Sequence, residues 1–200
     1  YDFYGFPQEL YKIKYPCPGS PRDARYLIES VKKLNIKCST NWGLDHASWS
    51  ILRHMYPAAN IPVIELSLDY SFNEWNPKPV QYHYDIASEL AILREKGILI
   101  IGSSNIVHNL GLIDFRNIDA TPYSWAVEFD EEVRSCLINR DHGKLIDHKK
   151  IKSSHLAVPT LDHYLPMIYA LALQEENEHL KFTYEGFQHG SISMRCFQIG

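Results

Sequence analysis

Three histidines in this sequence sit beside residues that would hold an imidazole in place. His108 follows Gly102-Ser103-Ser104-Asn105-Ile106-Val107, just beyond the apolar run Ile98-Leu99-Ile100-Ile101. Ligands of open α/β sheets gather at the carboxyl ends of strands, and an imidazole there can take or give a proton near neutral pH. His46 lies in Gly43-Leu44-Asp45-His46 at a predicted helix start. The helix dipole disfavours imidazolium there and leaves a neutral donor or acceptor. His163 lies in Pro159-Thr160-Leu161-Asp162-His163-Tyr164, predicted on the first turn of an apolar helix. From that turn it can ligate a metal while Asp162 or a carbonyl orients its second nitrogen. Each also has a plainer role. His108 and His163 can cap their elements, and His46 can pack between Trp42 and Trp49. No HExxH-type spacing joins the three, so any shared site has to be assembled by the fold.

The elements that would position them read as follows. Ser20 is a natural N-cap and Pro21 a natural first residue for a helix over 21–34, carrying Leu27, Ile28, Val31 and Leu34 at helical spacing. Ile36–Cys38 reads as a short strand. Asp45 caps a second helix that Pro57 stops. Ile61–Leu68 reads as a buried strand, 72–80 as a loop, and 81–96 as a helix ended by Gly97. Ile98–Ile101 is a further strand. A helix over 123–138, a polar loop over 144–154, a helix over 161–173 and closing strands at 182–185 and 191–199 complete the chain. Strands alternating with helices predict an α/β fold, a single domain over 1–200 with a central mixed sheet flanked by helices.

Composition narrows the function. The chain is 45% hydrophobic and 22% charged with a net charge of -4, so nothing electrostatic calls for nucleic acid. No apolar run approaches a membrane span, and no basic-then-apolar signal opens the sequence, so the cytoplasm is the expected compartment. Cys17, Cys38, Cys136 and Cys196 form no CxxC pair and are expected to be buried, reduced thiols. The other histidines (His54, His83, His142, His148, His179 and His189) lie in polar or loop contexts and are expected to face solvent. His155, close to Pro159 and His163, is left open. Neither Gly102-Ser103-Ser104 nor Gly190-Ser191 matches a phosphate-binding loop.

Seven segments, in order, carry a resemblance. They are Tyr1-Asp2-Phe3-Tyr4-Gly5-Phe6-Pro7, Tyr15-Pro16-Cys17-Pro18-Gly19-Ser20-Pro21, Gly43-Leu44-Asp45-His46, Met55-Tyr56-Pro57, Asn105-Ile106-Val107-His108-Asn109-Leu110, Pro159-Thr160-Leu161-Asp162-His163 and Gly190-Ser191-Ile192-Ser193-Met194. Together they resemble the DOPA-dioxygenase type of class III extradiol ring-cleavage enzymes, related to the protocatechuate dioxygenase catalytic subunit. The resemblance implies one mononuclear non-haem metal, Fe(II) or Zn(II), and a catechol and O₂ as substrates. It assigns His163 to the metal, and His108 to catalysis and sometimes to the metal as well. It assigns His46 to the substrate pocket, where it would donate a hydrogen bond. Ala47 and Ser104 stand where the family usually has glycine. Two N-terminal ligand segments of the family are not in this sequence, which opens with an aromatic turn and without Met. The expectation is that something upstream has been removed or never recorded, and that the 200 residues alone bind metal weakly and turn over little. Two alternatives use the same residues: a zinc hydrolase activating water, and a non-catalytic binding protein on the same fold.

Overall fold

Ser20 and Pro21 start the first helix in the way their chemistry requires. In the computed structural model, which describes residues 2–32, 36–70 and 79–200, the Ser20 hydroxyl accepts from the Asp23 N–H and α1 runs Pro21–Ser30. Leu34 and residues 71–78 lie outside the described residues, and with them the end of the predicted first helix and most of the predicted loop. Asp45 caps α2, His46–Met55, by accepting from the Ser48 N–H at 2.8 Å, and the helix stops two residues before Pro57. These elements belong to the first of two compact units, Tyr1–Leu68, whose buried apolar residues include Phe3, Leu27, Val31 and Leu52.

The second unit is Asp69–Gly200. The predicted helix over 81–96 is divided: α3 spans Val80–Ala87, a single 3₁₀ turn spans Ser88–Leu90, and α4 spans Ala91–Glu95. Gly97 follows with φ +72°, the left-handed conformation that ends a helix at little cost in glycine. The longest helix, α5, spans Ser124–Ile138, and its buried positions 126, 129, 130, 133, 136 and 137 form one continuous stripe. Residues 144–154 are not the polar loop their composition suggests. They form α6, His142–Ile146, and a 3₁₀ turn, His148–Lys150, because Leu145 and Ile151 anchor them in the core; α7, Ser154–Ala157, follows. Next, α8 spans Leu165–Leu171 and buries Leu165, Met167, Ile168, Tyr169 and Leu171. Each such side chain contributes about 1.5–3 kcal/mol when fully buried.

The strands are β1, Leu180–Tyr184; β2, Phe187–Gln188; β3, Ile192–Ser193; and β4, Cys196–Ile199. β1 pairs antiparallel with β4 (Leu180 opposite Ile199, Phe182 opposite Phe197), and β2 with β3 (Phe187 opposite Ser193). Helices with strand ladders keep the chain in the α/β class. The central mixed sheet is corrected, however: the strands assigned among the described residues form two two-stranded antiparallel sheets. Ile98–Ile101 joins neither ladder, and Leu99 and Ile101 are 63% and 42% exposed. Among the described residues, Ile61–Leu68 makes a single bridge, Val63 to Gly19, and Ile36–Cys38 is assigned to no strand. β-favouring composition marks a segment that can pair, but pairing needs a neighbour.

Candidate active site

The structure brings His108 and His163 face to face. Their rings stack with centroids 3.5 Å apart and planes 20° from parallel. Both belong to the second unit, and both are half-buried.

His108 is held by its backbone on two sides. Its N–H donates to the Ala157 carbonyl at 3.0 Å, and the residue bridges Ile192 of β3 in antiparallel fashion. Before it, the Ser193 N–H donates to the Val107 carbonyl at 3.0 Å and the Asn105 amide to the Ser193 carbonyl at 2.8 Å. After it, the Ser191 hydroxyl donates to the Asn109 carbonyl at 2.9 Å and the Asn109 amide to the Leu156 carbonyl at 2.8 Å. Ile106 and Val107 are buried, so the segment cannot swing out without exposing them.

His163 lies in the turn just before α8, not on the helix as its sequence context suggests. Tyr164 and Leu165 both donate to the Leu161 carbonyl, closing that turn, and the helix proper begins at Leu165 with Pro166 in its first turn. Buried Tyr164 next door anchors it, its hydroxyl donating to the Leu145 carbonyl at 3.0 Å. The His163 Nδ1 is hydrogen-bonded to the Ser104 hydroxyl at 2.8 Å, and its Nε2 is 3.5 Å from Asp162 Oδ2. The ring is thus tied through Nδ1 by Ser104, where Asp162 or a carbonyl was expected, and Asp162 lies on the side of Nε2. Ser104 is an addition to the expected set, in a position noted only for lacking glycine. Gly102 makes that approach possible, since a methyl group on its Cα would overlap the Pro166 carbonyl.

His46 belongs to the first unit and has surroundings of its own. Its ring is not sandwiched by the two indoles; Trp42 is 84% exposed. The Asp2 carboxylate accepts from the His46 ring Nδ1 at 2.6 Å and from its backbone N–H at 3.2 Å. Partial burial pushes the Asp2 carboxyl up, but these bonds outweigh it and hold the carboxyl below its ordinary value. Asp2 is the partner that sequence reasoning missed.

Two histidines expected at the surface are buried instead. His83 is hydrogen-bonded to the Tyr169 hydroxyl at 3.1 Å, and His148 packs against the Tyr164 ring; polar neighbours in sequence did not reveal the apolar neighbours in space. Of the cysteines only Cys136 is buried, and all four are free thiols.

Burial, reinforced by the neighbouring His163 imidazole, pushes His108 down from 6.5 to about 4 against the opposing pull of Asp162. In the metal-free protein its ring is therefore expected to stay neutral through pH 5 and to protonate near pH 4. A proton-detected NMR titration of the imidazole checks this. An unfolded histidine takes its proton near pH 6.5, so the unfolded state binds more protons between about 6.5 and 4. Stability from this residue is accordingly present above that window and lost as pH falls through it.

As donors, these residues fit a divalent metal: two imidazoles suit iron or zinc, and the buried Asp162 Oδ1 beside them has no hydrogen-bond partner. The pair does not by itself complete a coordination sphere. Among the described residues, no group of three His, Cys, Asp or Glu side chains is placed to hold an ion.

Residues 1–194 match the family described as the catalytic LigB subunit of aromatic ring-opening dioxygenase. The chain belongs to this family. A relative from Escherichia coli K12 named 4,5-DOPA dioxygenase extradiol is 38% identical, covering all of this chain and 73% of the relative. One of the same name from Mirabilis jalapa is 34% identical over 96% of this chain and 70% of the relative. A crystal structure of an uncharacterized protein from Escherichia coli K12 superposes with a TM-score of 0.85 at 37% identity, covering 96% of this chain and 77% of that one. Membership of the LigB family decides among the three readings that the histidines left open, in favour of a ring-opening dioxygenase over a hydrolase or a binding protein. No helix among the described residues is long and apolar enough to cross a membrane.

Proposed function

We propose that residues 1–200 belong to an extradiol dioxygenase catalytic domain, without its two N-terminal metal-ligand segments, that opens catechol rings on substrates with a DOPA-like side chain, in the cytoplasm. His108 moves protons, His163 holds the metal, and His46 donates a hydrogen bond to the substrate. The stacked, half-buried pair of His108 and His163 carries this reading, because it sets a neutral imidazole against a second one oriented by Ser104. The names of the relatives from Escherichia coli and Mirabilis jalapa support the DOPA-like substrate.

The reaction balances without a reductant. Both atoms of O₂ enter the product, and the ring bond beside one hydroxyl-bearing carbon breaks to leave a carboxylic acid and an aldehyde. One mononuclear metal is proposed, Fe(II) or Zn(II), and Fe(II) is favoured because it supplies the redox chemistry that O₂ needs and zinc lacks. His163 would hold it, with His108 as the second candidate ligand. A neutral His108 is ready to accept the proton that a catechol hydroxyl loses on binding, and to return it to an oxygen of the opening ring. Its own N–H bond to Ala157, with the flanking bonds of Val107 to Ser193 and Asn109 to Ser191, keeps the ring from drifting during the transfer. Loaded with Fe(II), the enzyme with the family's two N-terminal ligand segments in place is expected to consume one O₂ per catechol and give a yellow product in an oxygen-electrode assay. No uptake with any of several catechols would reject the proposal.

A further inference from the structure

The six buried positions on α5 follow helical spacing, and one of them is a carboxylate. Asp130 is 1% exposed, in a stripe where every other residue is apolar or cysteine. Its Oδ2 accepts from the Arg195 guanidinium, from Nε at 3.0 Å and also from Nη2, while Arg195 reaches Glu131 at 2.8 Å and also Glu185. Its Oδ1 accepts from the Ser193 hydroxyl at 2.6 Å. The two charged side chains are 2% and 3% exposed, and the guanidinium lies over the Phe182 ring.

Removing two charges from water is costly, and an apolar pair of similar volume is often no less stable. A buried ion pair in an otherwise apolar stripe is therefore poorly explained by stability alone. What it fixes is β3. The hydroxyl of Ser193 is tied to α5, its N–H to Val107 and its carbonyl to Asn105, so all its polar groups are committed. Val107 and Asn105 belong to the segment that ends in His108, and Ile192 bridges His108 itself. From the Asp130 carboxylate to the catalytic segment there are two hydrogen bonds, both through Ser193.

We propose that Asp130 and Ser193 are positioning residues for His108: the Arg195-clamped carboxylate sets the height of β3, and β3 sets the placement of the imidazole. This rests on the role proposed above for His108. An error of about 1 Å in the placement of a reacting group can cost about a hundredfold in rate. Ser193→Ala removes the link while leaving the ion pair, so in the metal-loaded enzyme it is expected to lower kcat about tenfold to a hundredfold. KM and metal content are expected to stay near wild type. Asp130→Asn, which keeps an acceptor for Ser193 but weakens the Arg195 clamp, is expected to fall between the two. In the metal-free chain, hydrogen exchange of the Ser193 and Asn109 amides is expected to quicken in Ser193→Ala, while the interior of α5 stays protected. Wild-type kcat with unchanged exchange in Ser193→Ala would overturn the proposal, as would a loss of kcat explained wholly by lost metal or lost folding. An inactive wild-type enzyme with both N-terminal ligand segments in place would instead refute the dioxygenase reading, and exchange would still decide whether Asp130 and Ser193 hold β3.

Discussion

With the family's two N-terminal ligand segments in place, His108→Ala is expected to keep nearly all its metal and its catechol affinity while kcat falls by roughly 10²–10⁴, the usual range for losing a positioned proton-transfer group. His163→Ala is expected to lose the metal, and activity only in consequence. The contrast follows from their surroundings. His163 has its Nδ1 tied to Ser104, the kind of support that orients a ligand and leaves Nε2 as the nitrogen that would hold the metal. His108 is held mainly through its backbone, and burial keeps its ring neutral. Metal analysis beside steady-state kinetics separates the two roles. If His108→Ala strips the metal as completely as His163→Ala, His108 is a ligand and the base lies elsewhere. If it changes neither metal nor activity, His108 is a capping residue.

The second large effect is on stability. Arg195→Ala leaves Asp130 buried without its cation, and breaking a buried pair from one side costs about 3–5 kcal/mol. For a chain of this size that lowers Tm by roughly 10 °C. Burial alone would make the Arg195 guanidinium easier to deprotonate, but its bonds to Asp130 and Glu185 outweigh this and keep it a cation. The double variant Asp130→Leu with Arg195→Met removes both charges and is expected to recover much of the lost stability. It does not restore the hydrogen bond to Ser193, so kcat is expected to stay low. Thermal denaturation beside kinetics reads the two contributions apart; a single variant that melts within a few degrees of wild type would show that water already solvates the pair.

The boundaries that were legible in the sequence were set by local chemistry. Ser20, Pro21, Asp45 and Gly97 mark helix ends because a hydroxyl, a carboxylate, a fixed φ or a missing Cβ acts on its immediate neighbours. Strand pairing is a property of two segments, and the apolar run at 98–101 said nothing of its partner. The core role of residues 144–154 was hidden for a similar reason: Leu145 and Ile151 are isolated apolar residues in a polar stretch, and only the packing around Tyr164 shows what they do. His108 and His163 could be nominated from their contexts, yet 54 positions separate them in the chain, and only the fold stacks them. Ser104 could not be found by type alone. Asp130 did leave a signal, a carboxylate in phase with Ala126, Phe129, Val133 and Leu137.

Isotope labelling tests the central claim most directly. Run with Fe(II) and ¹⁸O₂ on a catechol, the enzyme is expected to give a single ring-opened product carrying an aldehyde and an acid, with one labelled atom at each new carbonyl before exchange with water. A dicarboxylic acid from cleavage between the two hydroxyls, or a ring-opened product without label, would contradict it.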